Sequence, residues 1–139
     1  MPKTYLIDTN VLMVLHLKNH SLHDLALDVL SGIKLSEIKT NQLIVQELAT
    51  VLLIQGNDLE YTKTLIKNYF FGEEPIIAVS QMSQSLWNKS FEVFFDQTRG
   101  KLSFADCSLV AQARLEKIKT IITFDKDLKK EFKGEFEFL

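Results

Sequence analysis

Short β-prone runs alternate with helical stretches along the whole chain, and this alternation narrows the possible folds more than any other feature. Tyr5-Leu6-Ile7, closing on Asp8, reads as a buried strand. Further strands are expected over 35–39, 75–80 and 120–124, with a short edge strand over 136–139. Helices are expected through 11–15, capped by Thr9 or Asn10, then over 22–30, 42–56, 58–71, 82–95 and 103–117, with a short Lys-rich one after Asp125. Gly32, Gly56 and Gly72 stand where helices should stop. Strands separated by helices throughout argue for an α/β fold with a parallel sheet. In such sheets, functional groups gather beyond the carboxyl ends of the strands.

At 139 residues the chain is expected to form one domain, spanning 1–139, with a core that needs no metal or disulfide staple. Its single cysteine, Cys107, rules out an intramolecular disulfide and a CxxC metal site, and reads as a small buried apolar residue. A reducing, cytoplasmic setting follows as the expectation. No apolar run approaches the roughly 20 residues of a membrane span, and Asp8 interrupts the first apolar segment, so neither a signal peptide nor a membrane association is expected. Net charge is −2, so the chain lacks the global basic field of many nucleic-acid binders, which leaves local basic patches open.

Four acids stand out against this background. Asp8 closes the first strand, Asp125 follows the 120–124 strand, and Asp106 lies in the first turn of the Ser103 helix, on the apolar stripe 106, 109, 110 and 113. Glu47 sits between Ile44 and Val51 on a face that must pack inward, with no basic residue three or four positions away. A carboxylate there needs a partner from elsewhere, an Arg, a Lys or a metal ion. Local structural roles compete with a functional one. Ser103-x-x-Asp106 has capping-box spacing, Asp125 can cap the helix of Lys126–Phe132, Asp127 complements that helix's dipole, and Asp8 can start a turn. Several carboxylates in one pocket repel unless a cation is present. Oxygen ligands without Cys suit a hard ion, Mg²⁺ or Mn²⁺, which activates water for attack on a phosphodiester. Asn10 and Thr123 are placed to orient a carboxylate or hold a water.

Taken in order, Ile7-Asp8-Thr9-Asn10-Val11-Leu12, Val45-Gln46-Glu47-Leu48, Leu102-Ser103-Phe104-Ala105-Asp106 with Val110-Ala111, and Ile122-Thr123-Phe124-Asp125-Lys126-Asp127-Leu128 resemble PIN-domain nucleases. The size is similar to that of the VapC-type toxins of toxin–antitoxin pairs. The resemblance implies a three-layer α/β/α domain with a central parallel sheet and a metal-dependent endoribonuclease that hydrolyses RNA phosphodiesters. It further implies Mg²⁺ or Mn²⁺ as cofactor, a small antitoxin protein as partner and a homodimer. Carried over residue by residue, Asp8, Glu47, Asp106 and Asp125 are the catalytic and metal-binding acids, Asp8 and Asp106 as direct ligands and the other two partly through water. Asn10 and Thr123 match supporting polar positions.

Around these acids, Arg99 and Lys101 precede the Asp106 helix, while Lys126, Lys129 and Lys130 follow Asp125; both groups are candidates to track an RNA backbone. His16, His20 and His23 are interrupted by Asn19-Ser21 and lack a completing ligand, which argues against zinc. Trp87, Phe91, Phe94 and Phe95 form a helical stripe read first as core packing and second as a dimer or antitoxin groove. Two other functions compete: a non-toxin PIN-like module that processes RNA or only holds RNA or protein, and a phosphoaspartate enzyme or switch. The latter is disfavoured because Asp8 is followed by Thr9-Asn10 rather than a second Asp.

Overall fold

The computed structural model describes residues 3–56 and 58–139. Strand β1 (Tyr5–Ile7) leads into helices α1 (Thr9–Leu15) and α2 (His23–Ser31), followed by β2 (Ile38–Asn41), α3 (Gln42–Gly56) and α4 (Leu59–Phe70). Then come β3 (Ala78–Ser80), α5 (Gln84–Asp96), α6 (Phe104–Glu116), β4 (Thr120–Ile122), α7 (Lys126–Glu131) and β5 (Glu137–Phe138). The five strands form one sheet in the order β3-β2-β1-β4-β5, every neighbouring pair parallel. Helices cover both faces, giving a three-layer α/β/α sandwich.

Both faces of the central strands are buried, as a covered parallel sheet demands. Ile7, Ile38 and Ile122 point to one side, where Val11, Leu12, Leu48, Leu52 and Leu65 of α1, α3 and α4 meet them. Their neighbours Leu6 and Ile121 point to the other, against Leu109 and Ala113 of α6. Outside that layer α5 packs on α6, through Leu86 and Val93 against Cys107 and Val110. Covered by the sheet on one side and α5 on the other, α6 is buried without a break from Asp106 to Ala113, more than its four-residue stripe foretells. Cys107 is fully buried.

Chain order and strand order diverge in a way that matters for function. From β1 the chain steps outward to β2 and β3, then crosses back to add β4 and β5 on the opposite side of β1. The crevice at the carboxyl ends of β1 and β4 is therefore the topological switch point of the sheet.

Three expectations need correction. The strand expected over 75–80 begins only at Ala78, paired with Lys39, because the Ile77 N–H donates to Tyr69 O and its side chain fills the core. Residues 35–37 form a 3₁₀ turn, closed by the Glu37 carboxylate accepting from Lys34 N–H, so β2 starts at Ile38. Asp8, not Thr9 or Asn10, is the cap of α1. Among the described residues, no helix is long and apolar enough to cross a membrane.

Candidate active site

Each of the four acids reaches the switch-point crevice from a different element. Asp8 follows β1, its own N–H extending the ladder to Ile122 O at 3.0 Å. Its Oδ1 accepts from Thr9 N–H at 2.7 Å and its Oδ2 from the Thr123 hydroxyl at 2.7 Å. Thr123 is the hub of a small network: its Oγ1 also accepts from Asp125 N–H at 3.0 Å and from the Asn10 amide at 3.4 Å. Asn10 Oδ1 in turn accepts from Phe124 N–H at 3.1 Å. These bonds to side chains explain why the strand signal of Thr120–Phe124 ends at Ile122: Thr123 and Phe124 are turned to hold the crevice.

Asp106 and Asp125 combine a local and a pocket-facing role. Asp106 completes a capping box, its Oδ2 accepting from Ser103 N–H at 2.9 Å while Ser103 Oγ accepts from Asp106 N–H at 3.1 Å. Asp125 Oδ1 caps α7 by accepting from Asp127 and Leu128 N–H at 2.9 and 3.1 Å. Glu47 comes from the middle of α3. Together Asp8, Glu47, Asp106 and Asp125 line one cavity of about 430 Å³.

The electrostatics of that cavity are those of a site short of positive charge. Burial first, and the Asp106 carboxylate second, push the Asp8 carboxyl from an ordinary 3.8 up to about 7. Burial and then Asp106 likewise raise the pKa of Glu47. Burial raises that of Asp106, against the Ser103 N–H bond that favours its ionised form, and Asp125 adds to the rise. None of the ion pairs among the described residues involves any of the four acids. Lys101, exposed on the rim, is the cation that lines the cavity.

A divalent ion suits this chemistry. The donors are carboxylates, an amide and hydroxyls, the set that hard cations take. Thr9 Oγ1, on the cavity wall, is buried without a close hydrogen-bond partner, and its hydroxyl reaches only toward Glu47, whose ionised form it favours. Even so, among the described residues no three His, Cys, Asp or Glu groups already converge tightly enough to hold an ion.

Other expected residues fall elsewhere. Arg99 is engaged with Asp127 at 3.3 Å, and Lys126, Lys129 and Lys130 lie on α7 outside the cavity lining. His16 is bonded to two tyrosine hydroxyls, His23 Nδ1 to Val14 O, and His20 Nδ1 accepts from Leu22 N–H. Trp87, Phe94 and Phe95 are 46, 37 and 74% exposed, which overturns their reading as core: the buried face of α5 is Leu86, Ser90 and Val93. The aromatic rings instead cluster around Phe104, whose ring centroid lies 4.3 Å from that of Phe91. Three polar residues of the cavity wall, Thr9, Gln55 and Ser103, are not among the expected site residues. Gln55 has a signal, since 47, 51 and 55 share a helical face; Thr9 and Ser103 stand inside the quoted motifs but are read there as capping residues.

The PIN domain signature matches residues 5–131, nearly the whole chain and all four acids. The chain belongs to the PIN domain family. Among solved structures, this PIN domain is similar to VapC20 of Mycobacterium tuberculosis, described as a sarcin–ricin loop cleaving toxin. The TM-score is 0.80 at 19% identity, covering 96% of this chain and 98% of that one. A toxin–antitoxin complex from Klebsiella pneumoniae superposes with a TM-score of 0.68 at 18% identity, over 98% of this chain and 96% of that one. VapBC2 of Rickettsia felis, solved with a fragment of promoter DNA, gives 0.67 at 14% identity over 98 and 97%. At such identities the likeness is one of fold. A search of curated protein sequences gives no match.

Proposed function

We propose that this PIN domain is a metal-dependent endoribonuclease and the toxin of a toxin–antitoxin pair, with Asp8, Glu47, Asp106 and Asp125 as its catalytic acids. The observation that carries the reading is the cavity where those four meet, none of them in an ion pair, with burial and the neighbouring Asp106 carboxylate raising the Asp8 pKa to about 7. Asp8 and Asp106 would be the direct ligands of Mg²⁺ or Mn²⁺, with Glu47 and Asp125 acting partly through water and Thr9 Oγ1 as a further oxygen. Such an ion lowers the pKa of a water and offsets charge on the leaving oxygen of a phosphodiester. The chain's own groups do the positioning. Thr123 and the Thr9 N–H hold the Asp8 carboxylate at both oxygens, and Asn10 ties the strand end that carries Thr123 to α1. Lys101 stands where it can meet a phosphate at the rim. The toxin role and a small antitoxin partner draw support from the family and from the toxin–antitoxin complexes that share the fold, and a homodimer is proposed on the sequence resemblance alone.

A second reading, a domain that holds RNA or protein without cutting, is favoured by one observation: the carboxylates are not gathered into a ready ion site among the described residues. Incubating a mixed pool of tRNA, rRNA and synthetic single strands with wild type and Asp106→Asn, in Mn²⁺, Mg²⁺ or EDTA, separates the two. Cleavage by wild type alone and only with metal is the expected result. Equal cleavage by both proteins would remove the acids from the mechanism, and no cleavage in any condition would put the holding role first.

A further inference from the structure

The acid cavity does not end at the acids. Helix α1 lines it with Asn10 and Met13, and the chain just past the end of α1 presents His16 and Leu17 to a second cavity of about 450 Å³. Helix α3 does the same: Glu47, Val51 and Gln55 face the acids, while Leu52 and Gln55 face the second cavity, so that Gln55 borders both. Glu47 and Gln55 are eight residues apart, about 12 Å along the helix. The two cavities are successive stations of one groove between the same pair of helices.

Their chemistry differs. His16 forms the floor of the second station, with Nδ1 2.9 Å from the Tyr61 hydroxyl and Nε2 3.1 Å from that of Tyr69. Burial and the neighbouring His23 lower its pKa, which keeps the ring neutral at neutral pH. The rings of His16 and Tyr69 meet edge to face at 5.4 Å, and Tyr61, 48% exposed, offers an open aromatic surface on the groove. At the rim, Asn19 and Gln55 bring amides, and Lys18 and Asp58 one charge of each sign. A neutral aromatic wall with a mixed donor and acceptor rim matches a flat, uncharged heteroaromatic group better than a phosphate.

We infer that this second cavity is a nucleobase subsite, which takes the unpaired base of a single-stranded RNA nucleotide beside the phosphodiester held at the acids. The inference rests on the nuclease reading and adds to it the source of base preference. The base stacks on Tyr61 and meets the Asn19 and Gln55 amides with its polar edge, while Lys18 reaches the backbone. Stacking of a base on an aromatic side chain is sequence-tolerant, so the selectivity would come from the amide rim.

The test pairs binding with cutting. Fluorescein-labelled RNA hexamers, intact or carrying one abasic residue, are titrated by anisotropy against Asp106→Asn protein in Mn²⁺, alone or combined with Tyr61→Ala or Asn19→Ala. Cleavage sites on the same sequences are mapped for Tyr61→Ala and Asn19→Ala in the otherwise wild-type chain. Tyr61 and Asn19 are both exposed, and Asn19 lies in a turn, so Asn19→Ala in particular leaves the fold intact. Tyr61→Ala should weaken binding between about fivefold and a hundredfold, an abasic residue at one position should do the same, and Asn19→Ala should redistribute the cut sites. If RNA is bound or cut but neither substitution nor base removal changes affinity or cut sites, the subsite is disproved and the cavity is left to a protein partner. If wild type cuts nothing and no RNA binds, the nuclease reading itself fails, and this inference with it.

Discussion

Two buried polar clusters sit on the central strands, and they are opposites. At the end of β2, Asn41, Ser108 and Gln112 are fully buried. The Asn41 amide donates to Gln112 Oε1 at 3.0 Å and Ser108 Oγ at 3.2 Å, and its oxygen accepts from Ile44 N–H. Gln112 Nε2 donates to Thr40 O at 3.0 Å. All of these groups are neutral, and each finds a partner within the chain. At the ends of β1 and β4, the other cluster holds charge, an orphaned hydroxyl and raised carboxyl pKa values. Buried polarity is common to both; what separates them is whether the protein completes its own bonds. A satisfied network pins α3 to α6, whereas an unsatisfied one is prepared for something the chain does not supply.

The largest test of this contrast is pH. A carboxyl whose folded pKa is raised binds its proton more tightly in the folded state, so stability is full below the unfolded pKa and is lost as pH climbs toward the folded one. Between pH 4 and pH 7, Asp8 alone should lower the stability of the metal-free protein by about 3 kcal/mol. Glu47 and Asp106 act with the same sign. Urea unfolding in EDTA at pH 5 and pH 8 measures the loss, and Mn²⁺ should restore much of it at pH 8. A flat profile would mean the acids are not strained by one another.

Next in size, Asn41→Ala breaks the satisfied cluster, leaving Gln112 Oε1 and Ile44 N–H without partners. It should cost about 2–3 kcal/mol at every pH, with or without metal. A pH-dependent or metal-dependent loss in urea unfolding would erase the distinction drawn between the clusters. Thr123→Val removes the donor to Asp8 from the charged cluster; cleavage should fall about 10- to 100-fold, as loss of a group that orients a ligand usually does, and the decline of metal-free stability should extend to higher pH in the same unfolding series, because the Thr123 hydroxyl holds the Asp8 pKa down. Smallest of all, Arg114→Ala removes an exposed pair with Glu135 at 2.7 and 2.8 Å and should shift stability by no more than about 1 kcal/mol.

Much of this was legible in the residues. The β-branched and apolar runs marked the strands because a covered parallel sheet selects for them, and the acids announced themselves by standing where apolar packing or a plain turn would not place them. Their role was harder to read. For Asp106 and Asp125 the sequence offered capping or pocket duty as alternatives, and for Asp8 a turn or pocket duty, whereas all three cap a helix and line the cavity at once. In Asp106 and Asp125 the capping bonds fall on a single carboxylate oxygen, which leaves the other for the cavity. The Asn41–Gln112 bond left no trace, since it joins residues 71 positions apart. The exposed aromatic face of α5 was misread for a related reason: helical spacing shows that residues share a face, but not which of two faces a neighbouring helix will cover.

The crossing of the chain from β3 back to β4 has a consequence for how the protein comes into being. Asp8 is made near the beginning and its partner Thr123 is 115 residues further along. Strand β1, the middle of the sheet, therefore waits with one edge open until β4 has been synthesised. Contacts of such long separation form late and slowly. A nascent chain on the ribosome carries Asp8, Glu47 and Asp106 but not the Thr123 hydroxyl that fixes the first of them, so the crevice is assembled only as translation nears residue 125. For a domain that would cut RNA, the topology itself delays activity until the segment carrying Thr123 and Asp125 has been made and packed against β1.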